Sequence, residues 1–123
     1  MSAVTDETAA HKESPVYSRV VADARRALTV AEIGDVSGVS ERSVYNWARG
    51  SARPEGASRD RLFELKYVIE SLSDVYDDEG IEIWLHARLR RFQGKRPLDL
   101  LREGDFERVL NAVDALAGGP KRR

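Results

Sequence analysis

Residues 28–54 read LTVAEIGDVSGVSERSVYNWARGSARP, and their punctuation marks two short helices joined by a tight turn. Thr29 and Glu32 have the T-x-x-E spacing of a capping box, in which each side chain satisfies the other residue's free backbone N–H. The helix they open runs to about Ser37. Gly38 stops it, because the turn needs a residue that tolerates positive φ. Ser40 can cap the next helix, with Glu41 favoured in its first turn by the helix dipole. Gly50 ends that helix and Pro54 lies beyond it. Two helices packed this closely need a small residue where they cross, and Gly34 provides it. Ile33, Val39, Val44 and Trp47 fall at spacings that point inward. Ser37 stands where a bulky apolar side chain is more usual, and Val36 is expected to take over part of that packing.

A unit of this kind is a helix-turn-helix, whose second helix can enter the major groove of DNA. Leu-Thr, Glu, a small residue, Gly-Val-Ser, an apolar position, Trp, Gly and Pro occur in the order that resembles the Xre-type helix-turn-helix family. With Val44, Trp47 and Ala48 facing inward, Arg42, Ser43 and Asn46 are expected to face outward, flanked by Glu41 and Tyr45. Arg reads guanine and Asn reads adenine by paired hydrogen bonds. Ser40, Arg49 and Arg53 are placed for phosphates, and Arg59 extends that set. Between Ser40 and Leu62, Arg42, Arg49, Arg53, Arg59 and Arg61 face only Glu41, Glu55 and Asp60, a local net charge of +2. One subunit neutralises few phosphates, so a homodimer or higher oligomer is expected.

Outward from this core, Ser14-Pro15 reads as a helix start, a capping hydroxyl followed by proline at the first helical position. Val16, Val20, Ala24 and Leu28 are expected along one face of that helix. Downstream, Ser58 is read as the cap of a long helix with Leu62, Leu65, Ile69, Leu72 and Tyr76 at 3- and 4-residue steps. That apolar face could serve the core or a dimer interface. Asp77, Asp78 and Gly80 punctuate the chain before a helix with Ile81, Trp84, Leu85 and Leu89. Residues 92–96 read as a loop. Pro97 opens a short helix with Asp99 in its first turn. Asp105 caps a last helix with Phe106, Val109, Leu110, Val113 and Leu116 on one face, ended by Gly118-Gly119-Pro120. No segment alternates as a strand. The fold class is all-α with about seven helices: a tail over 1–13, a helix-turn-helix region over 14–54, a helical dimerisation or partner-binding region over 58–119, and a basic tail over 120–123.

The composition narrows the function. The chain has 123 residues, 41% hydrophobic and 33% charged, which suits one compact domain or two small subdomains sharing a core. It has no cysteine, which excludes disulfides, thiolate metal sites and a cysteine nucleophile. Its two histidines are His11, in the predicted tail, and His86, four residues after Glu82. One i,i+4 pair is not a metal site, and Asp77-Asp78-Glu79 lacks the spacing of a calcium loop, so no metal is expected. No phosphate-binding, dinucleotide-binding or nucleophile-elbow motif occurs, so neither catalysis nor a cofactor is expected. No apolar run is long enough for a membrane span or a signal peptide, and the expected location is cytoplasmic. The net charge of −1 hides two blocks. Residues 70–82 carry six acids and no base, whereas residues 86–96 carry Arg88, Arg90, Arg91, Lys95 and Arg96 and no acid. Such blocks steer partners.

The C-terminal half carries a second resemblance. Trp84-Leu85, the string Gly94-Lys95-Arg96-Pro97-Leu98-Asp99-Leu100-Leu101, Gly104, Val109 and a closing apolar helix are similar to the toxin-binding domain of Xre/MbcA/ParS antitoxins. The order, helix-turn-helix first, is also that of the family. The resemblance implies an antitoxin of a two-gene module that neutralises a co-encoded toxin. The usual partner is a RES-domain toxin that consumes NAD⁺, with the antitoxin's C-terminal portion covering the toxin active site. It also implies that the helix-turn-helix represses the shared promoter by binding double-stranded operator DNA. On this reading Trp84, Arg88, Arg91, Lys95, Arg96, Pro97, Leu98 and Leu101 are the toxin-contacting candidates. Two other functions stay open: a stand-alone or prophage-derived transcriptional regulator, and a protein-interaction adaptor whose helix-turn-helix no longer touches DNA.

Overall fold

A computed structural model describes residues 14–118. The expected tails over 1–13 and 120–123, and Gly119, lie outside the described residues. Among those described there are seven α-helices, one 3₁₀ turn and no strand, so the chain is all-α. The helices are α1 (Ser14–Ala24), α2 (Val30–Ser37), α3 (Glu41–Arg49), α4 (Gly56–Leu72), α5 (Asp78–His86), α6 (Pro97–Arg102) and α7 (Phe106–Leu116). The 3₁₀ turn (Arg90–Phe92) lies between α5 and α6. None of these helices is long and apolar enough to cross a membrane.

Local chemistry explains most boundaries. The Thr29 hydroxyl accepts from the Glu32 N–H at 3.1 Å and the Glu32 carboxylate accepts from the Thr29 N–H at 2.9 Å, so the capping box forms. Gly38 stands at φ 79°, and its N–H closes on the Gly34 carbonyl. The Ser40 hydroxyl caps α3 through the Ser43 N–H, and Asp77 caps α5 through the Gly80 N–H. The start of α4 differs from the Ser58 expectation. The helix begins at Gly56, and the Ser58 hydroxyl donates to the Glu55 carbonyl at 2.8 Å from inside the first turn. Its oxygen therefore does not cap the helix.

One hydrophobic cluster runs through the molecule and draws on every α-helix. α1 contributes Val20, Val21 and Ala24. Val16 is 46% exposed and lies off the face the sequence assigned to it. Ile33, Val36, Val44 and Trp47 bind the helix-turn-helix, and Val39 is half-buried against them. The α4 face of Leu62, Leu65, Ile69 and Leu72 is buried inside the chain, which removes it as a dimer interface. α5 ends at His86 and the chain turns extended at Ala87, so Leu89 sits in the following loop. That loop inserts Phe92, 2% exposed, into the core. On α7, Val109, Ala112 and Val113 are buried, Leu110 is half-buried, and Leu116 is exposed.

Among the described residues Ser37 is the one buried polar residue, and its hydroxyl has no hydrogen-bond partner among them. An unpaired buried hydroxyl costs more than the methyl that would replace it. Ser37→Ala is therefore expected to stabilise the fold by about 1 kcal/mol. Urea unfolding checks this, and a lower midpoint in the variant would contradict it.

Candidate nucleic-acid and partner interfaces

α3 presents one outward face. Arg42 and Tyr45 are exposed, as are Ser40, Glu41, Arg49 and Arg53, while Ser43 and Asn46 are half-buried. α1 backs the helix: Val44 and Trp47 are buried beneath it, and the Ser18 hydroxyl donates to the Trp47 carbonyl at 3.3 Å. Two of the expected readers are already engaged. The Arg49 guanidinium donates to the Asn46 side-chain carbonyl, the acceptor that Asn46 would offer an adenine amine. The Ser40 and Ser43 hydroxyls meet at 3.4 Å. Among the described residues Arg42 makes no such contact, so the face is led by Arg42 rather than by an Arg and an Asn. The structure adds a residue the sequence reading missed. Arg25, just beyond α1, lies 5.9 Å over the Tyr45 ring and brings a cation beside the start of α3. No local pattern signals it, because α1–α3 packing makes the contact.

The C-terminal candidates divide by burial. Leu98 and Leu101 are 1% and 2% exposed, and Pro97 and Trp84 are also buried. Their side chains hold α5 and α6 to the core, which leaves Pro97, Leu98 and Leu101 little surface for a partner, whereas Trp84 also lines a surface cavity. Leu100 completes that packing, because so short a helix can seat three leucines only against its long neighbours. Arg88, Arg91 and Lys95 are exposed. Arg88 donates to the Gly94 carbonyl at 3.2 Å and Lys95 pairs with Glu103 at 2.8 Å. Arg90 and Arg91, with Leu89 and Leu116, edge a shallow cavity of about 240 Å³ floored by Trp84 and Ala112. The loop keeps its shape through Leu89 N–H to Lys95 carbonyl and Gly94 N–H to Leu89 carbonyl bonds, with Arg108 over the Phe92 ring.

Arg96 and Asp99 form a forked pair. The Arg96 Nε and Nη2 donate to the two Asp99 oxygens at 3.0 and 2.7 Å, and the Arg96 N–H donates to the same carboxylate at 3.0 Å. The guanidinium and the N–H hold the Asp99 carboxyl down to about 2 against partial burial. Beside this pair, His86 Nε2 meets the Glu32 carboxylate at 2.8 Å, and Nδ1 donates to the Glu82 carbonyl at 2.7 Å. Both ring nitrogens are used, and the Glu82 side chain is not one of their partners, so Glu82 and His86 do not form a metal pair. The described residues contain no cluster of metal-ligating side chains. Burial pushes the His86 pKa down, but the Glu82 carbonyl and the Glu32 carboxylate outweigh it and the net direction is up. Burial likewise opposes ionisation of Glu32, but the Thr29 N–H and His86 outweigh it and lower the pKa.

The pair's contribution is therefore complete only above the ordinary Glu pKa of 4.5 and below the ordinary His pKa of 6.5. It fades as pH rises through the raised His86 value. The stability gap between wild type and His86→Gln is expected to be larger at pH 6 than at pH 9 by about 0.5–1 kcal/mol. Denaturant titration at the two pH values checks this, and an equal gap would refute it.

Residues 71–119 match the family described as the antitoxin Xre/MbcA/ParS C-terminal toxin-binding domain. The mycobacterial cidal antitoxin MbcA of Mycobacterium bovis is 37% identical over 95 residues, covering 77% of this chain and 84% of that protein. This chain belongs to the Xre/MbcA/ParS antitoxin family. A probable mycobacterial cidal antitoxin of Mycobacterium tuberculosis is 37% identical over 92 residues, 75% of this chain and 78% of that one. The fold of this family member also matches a chain in the crystal structure of the M. tuberculosis MbcT–MbcA toxin–antitoxin complex. That match has a TM-score of 0.70 and 35% identity over 81% of this chain and 92% of the other.

Proposed function

We propose that this chain neutralises a co-encoded protein toxin by stoichiometric binding, and represses the promoter of the pair through α3. The observation that carries the toxin half is the match, over 81% of the chain, to a protein crystallised in a toxin–antitoxin complex. The surface offered for the toxin is the basic loop between α5 and α6, where Arg90 and Arg91 edge a cavity with Leu89 and Leu116 and the exposed Arg88 and Lys95 lie on the same loop. Exposed arginines around an apolar hollow suit an acidic-rimmed protein surface. The resemblance favours a RES-type, NAD⁺-consuming toxin. The promoter half rests on the exposed Arg42 and Tyr45, with Arg25, Arg49 and Arg53 at the edges for phosphate. No catalytic step and no cofactor are assigned to the chain.

Co-expression with the product of the adjacent gene tests the toxin half. A stoichiometric complex that relieves growth arrest is expected, and the triple change Arg88→Glu, Arg91→Glu, Lys95→Glu should weaken it at least about tenfold. Failure of the two proteins to associate would overturn this half. For the promoter half, binding to the upstream DNA should fall linearly with salt on logarithmic axes. Arg42→Ala should cost about 1–3 kcal/mol of discrimination at one base pair. Salt-independent binding, or unchanged discrimination, would overturn it.

A further inference from the structure

The basic loop between α5 and α6 is anchored at its two ends by different chemistry. At the far end Arg96 grips Asp99, whose carboxyl it holds down to about 2, so this anchor keeps its charges at any pH near neutral. At the near end stands His86, the last residue of α5 before the chain turns extended at Ala87. Its half-buried ring reaches Glu32 of α2, 54 positions away in the chain. Nε2 lies 2.8 Å from the Glu32 carboxylate and Nδ1 lies 2.7 Å from the Glu82 carbonyl.

Both neighbours of the ring are acceptors. A carboxylate and a carbonyl can each receive an N–H and neither can give one, and only imidazolium carries an N–H on both nitrogens. The neutral ring keeps a single N–H, so one of the two contacts becomes a lone pair facing an oxygen. The charged groups that face the ring are Glu32 from α2 and Arg96 from the start of α6, while α5 itself offers the Glu82 carbonyl. Burial and Arg96 oppose the ring's charge, and the Glu82 carbonyl and Glu32 outweigh them. Glu32 has its own hold on α2, because its other carboxylate oxygen accepts from the Thr29 N–H at 2.9 Å. It stays in place when the ring lets go, and the end of α5 is what gives. Phe92, buried in the core, pins the loop farther on. The segment free to follow His86 is therefore Ala87 to Leu89. It carries the exposed Arg88, and Leu89 at the edge of the cavity.

We propose that His86 is a proton-operated latch, which as imidazolium fastens the start of the basic loop to α2 and as neutral imidazole releases Arg88 and Leu89. The latch belongs to the chain alone, and its effect on a partner rests on the toxin surface proposed above. A segment already ordered loses less entropy on binding, so the latched form binds the toxin more tightly. The latched form lies below the raised His86 pKa, and loop order and affinity fall as pH rises through it.

Proton NMR of the full chain follows the ring, with His86→Gln separating its signal from that of His11. The heteronuclear NOE of the Arg88 and Leu89 amides should fall between about pH 6 and about pH 8.5, in step with that titration. Glu32→Gln is the decisive variant. It keeps the capping box, and its amide can accept from the ring or donate to it. The contact should survive in both states, and the loop should stay ordered at both pH values. Affinity for the product of the adjacent gene, wild type relative to Glu32→Gln, should drop about threefold over the same interval. Loop order indifferent to the His86 titration would overturn the latch, as would a Glu32→Gln protein with the wild-type response. A level affinity ratio beside a responsive loop would overturn its effect on the partner. A responsive loop in a chain that binds no toxin would uphold the latch and overturn the toxin reading instead.

Discussion

Gly34→Ala is expected to lower stability by about 2 kcal/mol and the melting temperature by about 8 °C, even though alanine is the better helix former. A Cβ at position 34 falls 2.7 Å from the Val39 carbonyl oxygen, closer than real Cβ contacts come. The obstacle is backbone, at the turn where the chain passes from α2 to α3, so no side-chain rotation relieves it. α3 must shift outward, away from Ile33 and Val44, both fully buried. Helix propensity returns about 1 kcal/mol, while overpacking against an immovable atom costs about 1–3 kcal/mol and the displaced core adds to it. Gly38→Ala provides the contrast. It has open space around its Cβ but stands at φ 79°, so it should lose about 1 kcal/mol through conformation alone. Thermal unfolding followed at 222 nm ranks the two. Wild-type stability in Gly34→Ala would mean that the two helices do not approach this closely. Because α3 is the element displaced, the DNA binding proposed for α3 should weaken further in Gly34→Ala than in Gly38→Ala.

The same two glycines show which features the sequence discloses. Their roles follow from spacing within one turn, as do the caps at Thr29, Ser40, Asp77 and Asp105 and the Pro97 helix start. A cap is chemistry between residues two or three apart, so it can be read without knowing the fold. What packs on a helix is decided by distant chain. Periodicity marked Leu62, Leu65, Ile69 and Leu72 as one apolar face but could not say whether the core or a second copy would cover it. The partly exposed Phe63 and Tyr67, which meet Tyr17 and Phe106 edge-on, were hidden, because two aromatics in a charged helix form no pattern. Phe92 lay in a segment read as loop, yet a 3₁₀ turn carries it into the core. The leucines of the Arg-Pro-Leu-Asp-Leu-Leu string are apolar either way, and only the placement of α6 made them interior. The Glu32–His86 pair spans 54 positions. Each residue was noted for another reason, Glu32 for its cap and His86 for a metal pair it does not make. The Arg49–Asn46 bond is local and could have been anticipated from its i,i+3 spacing. It went unseen because both residues were assigned to DNA.

Asp99→Asn is expected to cost about 2 kcal/mol at neutral pH, which tests whether the Arg96–Asp99 fork anchors α6. The carboxylate accepts three hydrogen bonds from one residue, two from the guanidinium and one from the backbone N–H that begins the helix. Bonds to an ionised acceptor contribute more than neutral ones, and a forked pair also fixes orientation. Asparagine keeps the shape but offers one acceptor and turns an N–H₂ toward the guanidinium donors. The carboxyl is held at about 2 against an ordinary 3.8, which corresponds to about 2 kcal/mol of preference for the ionised form in the folded chain. A lowered folded-state pKa gives stabilisation that is complete above about 3.8 and lost as pH falls through about 2. The gap between wild type and Asp99→Asn should therefore be level from pH 5 to pH 8 and close on acidification below about 4. Urea unfolding at pH 7, 5 and 3 measures it. A gap that opened with acid, or none at pH 7, would show that the pair does not hold α6. The consequence would reach beyond the short helix. Leu98, Leu100 and Leu101 are all within 2% of full burial, and Arg96 stands beside the Glu32–His86 contact. Loosening α6 therefore slackens the junction between the C-terminal helices and α2 of the helix-turn-helix. It would do so without altering a side chain of the exposed basic loop or of α3.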